Sequence, residues 1–123
     1  MIKVGCAILG IYHLALGAVM ALAPGTFFEE IASYGSRNDH YIRDVSTFYL
    51  ALGLALLAAV VRASWRGPVL FFAAAQYVLH AVNHAIDIGD SDPSWHGPAN
   101  LISIAAIAVV CIVLGRRNRK TVE

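Results

Sequence analysis

The sequence predicts an all-α integral membrane protein: a four-helix transmembrane bundle with a short amphipathic helix in its first outer connection. Three observations indicate this fold class. The 123 residues are 59% hydrophobic and 14% charged, which is far from the composition of soluble domains. The apolar residues form four blocks, at 4–23, 42–61, 68–88 and 97–115, and each is close to the roughly 20 residues that a helix needs to cross a bilayer. The blocks also lack the charged stripe of soluble bundle helices.

The first block predicts a helix that packs closely against a neighbour. Gly10 and Gly17 share a helical face with His13, and small residues let two membrane helices approach each other. We therefore expect His13 to point into the bundle. The pair Pro24-Gly25 predicts the end of this helix.

The first connection predicts the short amphipathic helix. Thr26 and Glu29 have the spacing of a capping box, and Gly35 predicts the end of the helix. The apolar side chains of this segment suit either an anchor on the membrane surface or a lid over the mouth of the bundle.

The other three blocks predict the remaining transmembrane helices. The second helix opens near Asn38, and residues 64–68 predict a tight turn before the third helix, with Pro68 in its first turn. Residues 89–95 are rich in turn formers, and the fourth helix begins near His96. Residues 1–123 form one domain by length.

Basic residues are concentrated at one end of the predicted bundle. Seven of the nine lysine and arginine residues lie at the termini and around the second connection: Lys3, Arg62, Arg66, Arg116, Arg117, Arg119 and Lys120. The positive-inside rule then predicts cytoplasmic termini, with the first and third connections outside. A net charge of +1 gives no indication of nucleic-acid binding. Cys6 and Cys111 fall near the predicted cytoplasmic side, where packing rather than a disulfide is expected.

The third block carries the polar residues that indicate a functional site. His80, His84 and Asp87 follow i, i+4, i+7 spacing and share one helical face, with Asn83 beside them. Ionisable groups at membrane depth are costly and indicate a function by default. Two imidazoles at this spacing with a nearby carboxylate are typical ligands of zinc or iron. The sequence therefore predicts a divalent-metal site in the outer half of the bundle, although it identifies no catalytic residue.

Further polar residues, on this helix and on the others, are candidates for the same site. Asp44 is one further candidate ligand. Four residues are alternative ligands or support the ligands: His13, Asn83, His96 and Asn100. Asp44 faces inward if Gly53 and Ala51 mark the packed side of its helix. The inner half of the bundle is nearly all apolar, so transport across the membrane is not favoured.

Two other interpretations of these residues remain open. In a metal-free pocket, the pair His84 and Asp87 can act as general acid and base, and a lipid-like or quinone-like molecule can enter from the outer leaflet. Alternatively, the polar groups form a structural hydrogen-bond network in an accessory subunit of a membrane complex. Membrane lipid is the expected partner, and a lipophilic small molecule, a second copy or a complex partner is compatible with the pattern.

Three groups of residues carry a resemblance to a known family. Tyr12-His13 is followed by Gly17 and Pro24, Ile42-Arg43-Asp44 opens a helix that contains Gly53, and a third helix runs from His80 through Asp87. This layout resembles the small four-helix bacterial membrane proteins of the DoxX-like type, especially sets whose function is unknown. The resemblance implies a bundle in the bacterial inner (plasma) membrane, sometimes accessory to redox or thiol-stress systems. It implies no catalytic residues.

Overall fold

Five helices make up the computed structural model of the protein within residues 1–122. Their bounds are α1 (Ile2–Leu22), α2 (Pro24–Glu30), α3 (Asp39–Val61), α4 (Ala63–Ile86) and α5 (His96–Val122). Side chains are described for residues 1–119, and Glu123, the last residue of the predicted domain, lies outside the described residues. Helices α1, α3, α4 and α5 are long and apolar enough to cross a membrane. The predicted all-α four-helix bundle is confirmed.

The four long helices associate as two pairs, α1 with α3 and α4 with α5, and α3 also packs against α4. Helices α1 and α3 approach closely where two glycines meet: a Cβ atom placed on Gly53 would lie 3.0 Å from the Gly10 carbonyl oxygen. A Cβ atom on Gly17 would lie 2.9 Å from Leu50 Cγ. The predicted close packing of this glycine face is confirmed, and it buries His13 completely.

The main hydrophobic core lies toward the end of the bundle that carries the basic residues. Leu56 and Leu70 are fully buried there together with both cysteines, Cys6 and Cys111. The cysteines are free thiols and pack among aliphatic side chains, as expected. A second cluster, formed by Met20, Ile42 and Tyr49, lies at the other end beneath the phenylalanines of α2.

Helix α2 differs from its predicted bounds. It begins at Pro24 rather than after it and ends at Glu30, and no side chain caps its N-terminus. Pro24 occupies the first helical turn, where the missing N–H of proline breaks no helical hydrogen bond. The capping-box start was therefore wrong. Gly35 does take a left-handed conformation, with φ of 61°, but it lies beyond the helix in the following loop.

The connection between α3 and α4 is also shorter than predicted. Only Arg62 is non-helical, with φ of −109° and ψ of 104°, and residues 64–68 belong to α4. Arg66 allows this abrupt reversal because its guanidinium donates to the carbonyl oxygens of Ala59 (3.0 Å) and Val60 (3.3 Å) at the end of α3. A cation that satisfies the last carbonyls of a helix stabilises its C-terminus. The predicted turn over residues 64–68 was wrong.

The first and third connections pack against each other at the far end of the bundle. The Asp92 amide donates to the Ser33 carbonyl oxygen at 3.1 Å, and the Ser33 hydroxyl donates to the Asp92 carbonyl oxygen. Asn100 on α5 donates from its side-chain amide to the Ile31 carbonyl oxygen at 2.7 Å. These bonds hold the chain that follows α2 over the space between the four long helices.

Candidate functional site

A cavity of about 380 Å³ lies between the four long helices beneath these connections. Its volume is within the range of small-molecule sites, roughly 300–1,000 Å³. Five of the residues predicted for a site line it: His80, Asn83, His84, Asp87 and Asn100. The sequence therefore brings the polar residues of α4 and α5 to one place, and α1, α3 and the segment after α2 provide the remaining walls.

His80 and His84 form a column of parallel rings along the α4 wall of the cavity. Their ring centroids are 4.7 Å apart and their planes differ by 8°, as the predicted i, i+4 spacing allows. The Gln76 amide nitrogen donates to Nδ1 of His80 at 3.3 Å. Nδ1 of His84 shares a hydrogen bond with the Tyr34 hydroxyl at 3.0 Å. Contacts on both sides thus fix the orientation of the two imidazoles.

This arrangement differs from the one a metal ion needs. An imidazole binds a metal in the plane of its ring, with a nitrogen about 2.1 Å from the ion, and two parallel stacked rings do not direct their nitrogens at a common point. Within the described side chains, no group of three or more His, Cys, Asp or Glu residues could hold a metal ion. A metal site would need new rotamers of both histidines, so it stays a prediction.

Two residues predicted to assist the site lie outside the cavity. The Asp44 carboxylate is 3.4 Å from Nε2 of His40, and its side chain is 66% exposed. Asp44 is nine residues before Gly53, so the helical repeat places the two on opposite faces of α3, and the Gly53 face is the one packed on α1. His96 is buried and shares a 3.2 Å hydrogen bond with the Ser33 hydroxyl. It helps to join the two connections.

His13 lies one layer below the cavity. Its Nδ1 is 2.6 Å from the Leu9 carbonyl oxygen, and its Nε2 is 2.8 Å from the Tyr77 hydroxyl. A carbonyl oxygen only accepts, so Nδ1–H donates to Leu9, and Nε2 accepts from Tyr77. Tyr77 itself lines the cavity, whereas His13 is not among the lining residues. Both ring nitrogens of His13 are satisfied by protein groups.

The tyrosines are the functional candidates that sequence reasoning missed. The chain has five, and all of them line the cavity: Tyr12, Tyr34, Tyr41, Tyr49 and Tyr77. Tyrosine combines a large apolar ring with a polar hydroxyl, so this wall can contact both parts of an amphiphilic molecule. The positions of the tyrosines in the sequence could have indicated this: none of them lies in the part of an apolar block that is next to the basic end of the bundle.

Comparisons with protein-family models, curated proteins and solved structures found no match to this chain. The resemblance to DoxX-like proteins therefore stays a prediction. The fold and cavity define a multi-pass membrane protein with an aromatic and polar chamber at one end of its bundle.

Proposed function

We propose that this protein binds a lipophilic small molecule in the cavity between its four long helices. The observation that carries the proposal is the two-sided lining of the cavity. Leu16, Met20, Ile42 and Val45 provide an apolar wall on α1 and α3, and the polar side chains of α4 and α5 face it. Ligand pockets typically combine a mainly apolar surface with a few placed polar groups.

The lining suggests how such a molecule would be oriented. Its polar group would lie near His84, Asn83 and Asn100, which offer both hydrogen-bond donors and acceptors. Its ring or chain would lie against the apolar wall and the tyrosines. The segment after α2 contributes Ile31 and Tyr34 to the lining, so it acts in this proposal as a cover rather than a surface anchor.

Ligand retention and cavity filling test the proposal. The protein is purified in a mild uncharged detergent, its solvent extract is examined by mass spectrometry, and binding of a decyl-substituted benzoquinone probe is titrated. Ser103→Phe places a ring in the cavity, since Ser103 lines it. Ile102→Phe is the matched control, because Ile102 is 69% exposed and lies outside the lining.

We expect the Ser103 variant to lose at least about tenfold in affinity, the equivalent of roughly 1.4 kcal/mol, and the Ile102 variant to bind as the parent does. A parent that retains no lipophilic molecule and binds no probe, or equal binding by both variants, contradicts the proposal.

A divalent metal bound by His80, His84 and Asp87 is the second candidate. The observation that favours it is that all three residues line the same cavity. Elemental analysis of tag-free, chelator-washed protein separates the two candidates. Near-stoichiometric zinc or iron, lost in His84→Ala and kept in His40→Ala, supports the metal site. Equal metal content in the parent and His84→Ala refutes it.

We also propose that the protein lies in a bacterial inner membrane with both termini in the cytoplasm, which places the cavity at the outer side. The support is the charge distribution, since Arg62 forms the α3–α4 connection and Arg66 lies in the first turn of α4, at the end opposite the cavity. Ser36→Cys and Ser64→Cys, both at exposed positions, test the orientation. An impermeant maleimide should label the first in intact spheroplasts and the second only after permeabilisation. The reverse pattern refutes this topology.

A further inference from the structure

We infer that the ligand of this cavity is an organic cation, a lipophilic amine or quaternary ammonium compound, held by Asp87 and by the ring of Tyr34 at the same end of the cavity. This inference rests on the proposed function and names its ligand class. Three features carry it: the carboxylate in the described lining, the pairing of Arg37 with acids at the rim, and a tyrosine ring at the level of Asp87.

The charged lining of the cavity is negative. Among the described side chains that line it, Asp87 is the only carboxylate, and no lysine or arginine is present. Asp87 is half-buried, so an anion beside it would meet a like charge, with no lysine or arginine among the lining residues to compensate it, which is unfavourable. A cation would meet an opposite charge there.

The basic side chain of the first connection is already committed to other partners. Arg37 donates from Nε and Nη2 to the two carboxylate oxygens of Asp39, at 2.6 and 3.0 Å, and lies 3.6 Å from Glu29. The hydrogen bonds to Asp39 raise the pKa of Arg37 above its ordinary value. This guanidinium is thus paired with acids at the rim, and Asp87 provides the carboxylate of the described lining.

The tyrosines supply the second part of cation recognition. The face of an aromatic ring is negative, and it stabilises a cation within about 6 Å of the ring centroid. All five tyrosines of the chain line this one cavity. Tyr34 lies at the level of Asp87, because its ring centroid is 5.1 Å from that of His84 and Asp87 follows His84 by three residues. Tyr12, Tyr49 and Tyr77 surround His13 instead, roughly 15 Å further along the bundle, where they can contact the apolar part of the ligand.

Three probes that share a benzyl group test the inference. They are the cation benzyltrimethylammonium, its neutral isostere neopentylbenzene and the anion benzylsulfonate. Each is equilibrated by dialysis with the full-length protein in maltoside micelles, and empty micelles correct for partitioning. We expect the cation to bind at least about tenfold more tightly than the neutral isostere, and the anion to bind most weakly.

Variants of two aspartates identify the charge that is responsible. Asp87→Asn should weaken binding of the cation about tenfold and leave binding of the neutral isostere unchanged. Asp44→Asn is the matched control, because Asp44 lies at the same end of the bundle but outside the lining, and it should bind both probes as the parent does. Tyr34→Leu should weaken cation binding, whereas Tyr34→Phe, which keeps the ring face, should retain it.

The outcomes separate this inference from the proposed function. Equal or tighter binding of the neutral isostere, or equal effects of the Asp87 and Asp44 variants, overturns the cation assignment and leaves a ligand cavity standing. Tightest binding of the anion does the same. Failure of all three probes to bind overturns the cation assignment, and together with the absence of a co-purifying lipophilic molecule it overturns the proposed function as well.

Discussion

Replacing Tyr77 with phenylalanine should destabilise the bundle although it removes only one hydroxyl group. That hydroxyl donates to Nε2 of His13 at 2.8 Å. His13 is 0% exposed and Tyr77 1% exposed, so water cannot easily replace the lost donor. A buried acceptor left without a partner costs about 1–3 kcal/mol. We expect the free energy of unfolding to fall by that amount in Tyr77→Phe.

A double-mutant cycle with His13→Leu tests the assigned hydrogen bond itself. His13→Leu alone leaves the Tyr77 hydroxyl as a buried donor without its acceptor, whereas the double variant contains neither group. The double variant should therefore be more stable than the sum of the single effects predicts, by roughly 0.5–3 kcal/mol, the usual coupling of contacting residues. Tyr41→Phe is the control. Tyr41 is 66% exposed, and its change should stay within about 0.5 kcal/mol.

Unfolding can be measured by circular dichroism in mixed micelles of an uncharged detergent and dodecyl sulfate. The reasoning is refuted if Tyr77→Phe is as stable as the parent, or if the effects of Tyr77→Phe and His13→Leu are additive. Additive losses would mean that the two side chains contribute by packing, with no free energy in the bond between them.

Three further predictions concern the packing of the helices and their connections. Gly53→Ala should destabilise the bundle by about 1–3 kcal/mol, because the added methyl group overpacks against α1. Gly115→Ala should be tolerated, because its Cβ atom would lie 3.9 Å from its nearest neighbour. Equal unfolding curves for the two variants contradict this prediction. Asn38→Ala should cost about 1 kcal/mol in the same assay, because the Asn38 side chain caps α3, and a loss below about 0.3 kcal/mol contradicts the cap. Ser33→Ala removes hydrogen bonds to the third connection and to His96, so amide hydrogen exchange should accelerate in both connections and stay unchanged in α1. Unchanged exchange in the connections refutes their coupling.

The transmembrane helices were predictable because the length and composition of the apolar blocks decide them. The start of α3 was predictable too, since Asn38 is a strong N-cap residue. The start of α4 was not. Residues 64–68 have the composition of a turn, but the contacts of Arg66 with carbonyl oxygens of α3 complete the reversal at Arg62 alone. Such a contact depends on the tertiary arrangement and leaves no local pattern.

The same distinction applies to the candidate site. The stacking of His80 on His84 follows from helical spacing within one element and was predictable. Whether Asp44 faces inward depends on how α3 is rotated about its axis. Gly53 and Ala51 could not both mark the packed side, because the directions of side chains two residues apart in a helix differ by about 200°. The structure buries Gly53 and exposes Ala51. Gathering five tyrosines from separate segments requires the rotations of all helices at once, which no single segment encodes.

The side chains between the helices change along the bundle, and this explains why the cavity lies at one end of it. Toward the basic end, the space between the two helix pairs is filled by Leu56, Leu70 and the two cysteines, all fully buried. Toward the other end, tyrosine and histidine rings line an open space instead. A polar or charged molecule that entered the cavity would have to cross this aliphatic core to leave by the opposite side, at a desolvation cost of several kcal/mol or more. The aliphatic core therefore opposes the passage of such a molecule along the axis of the bundle.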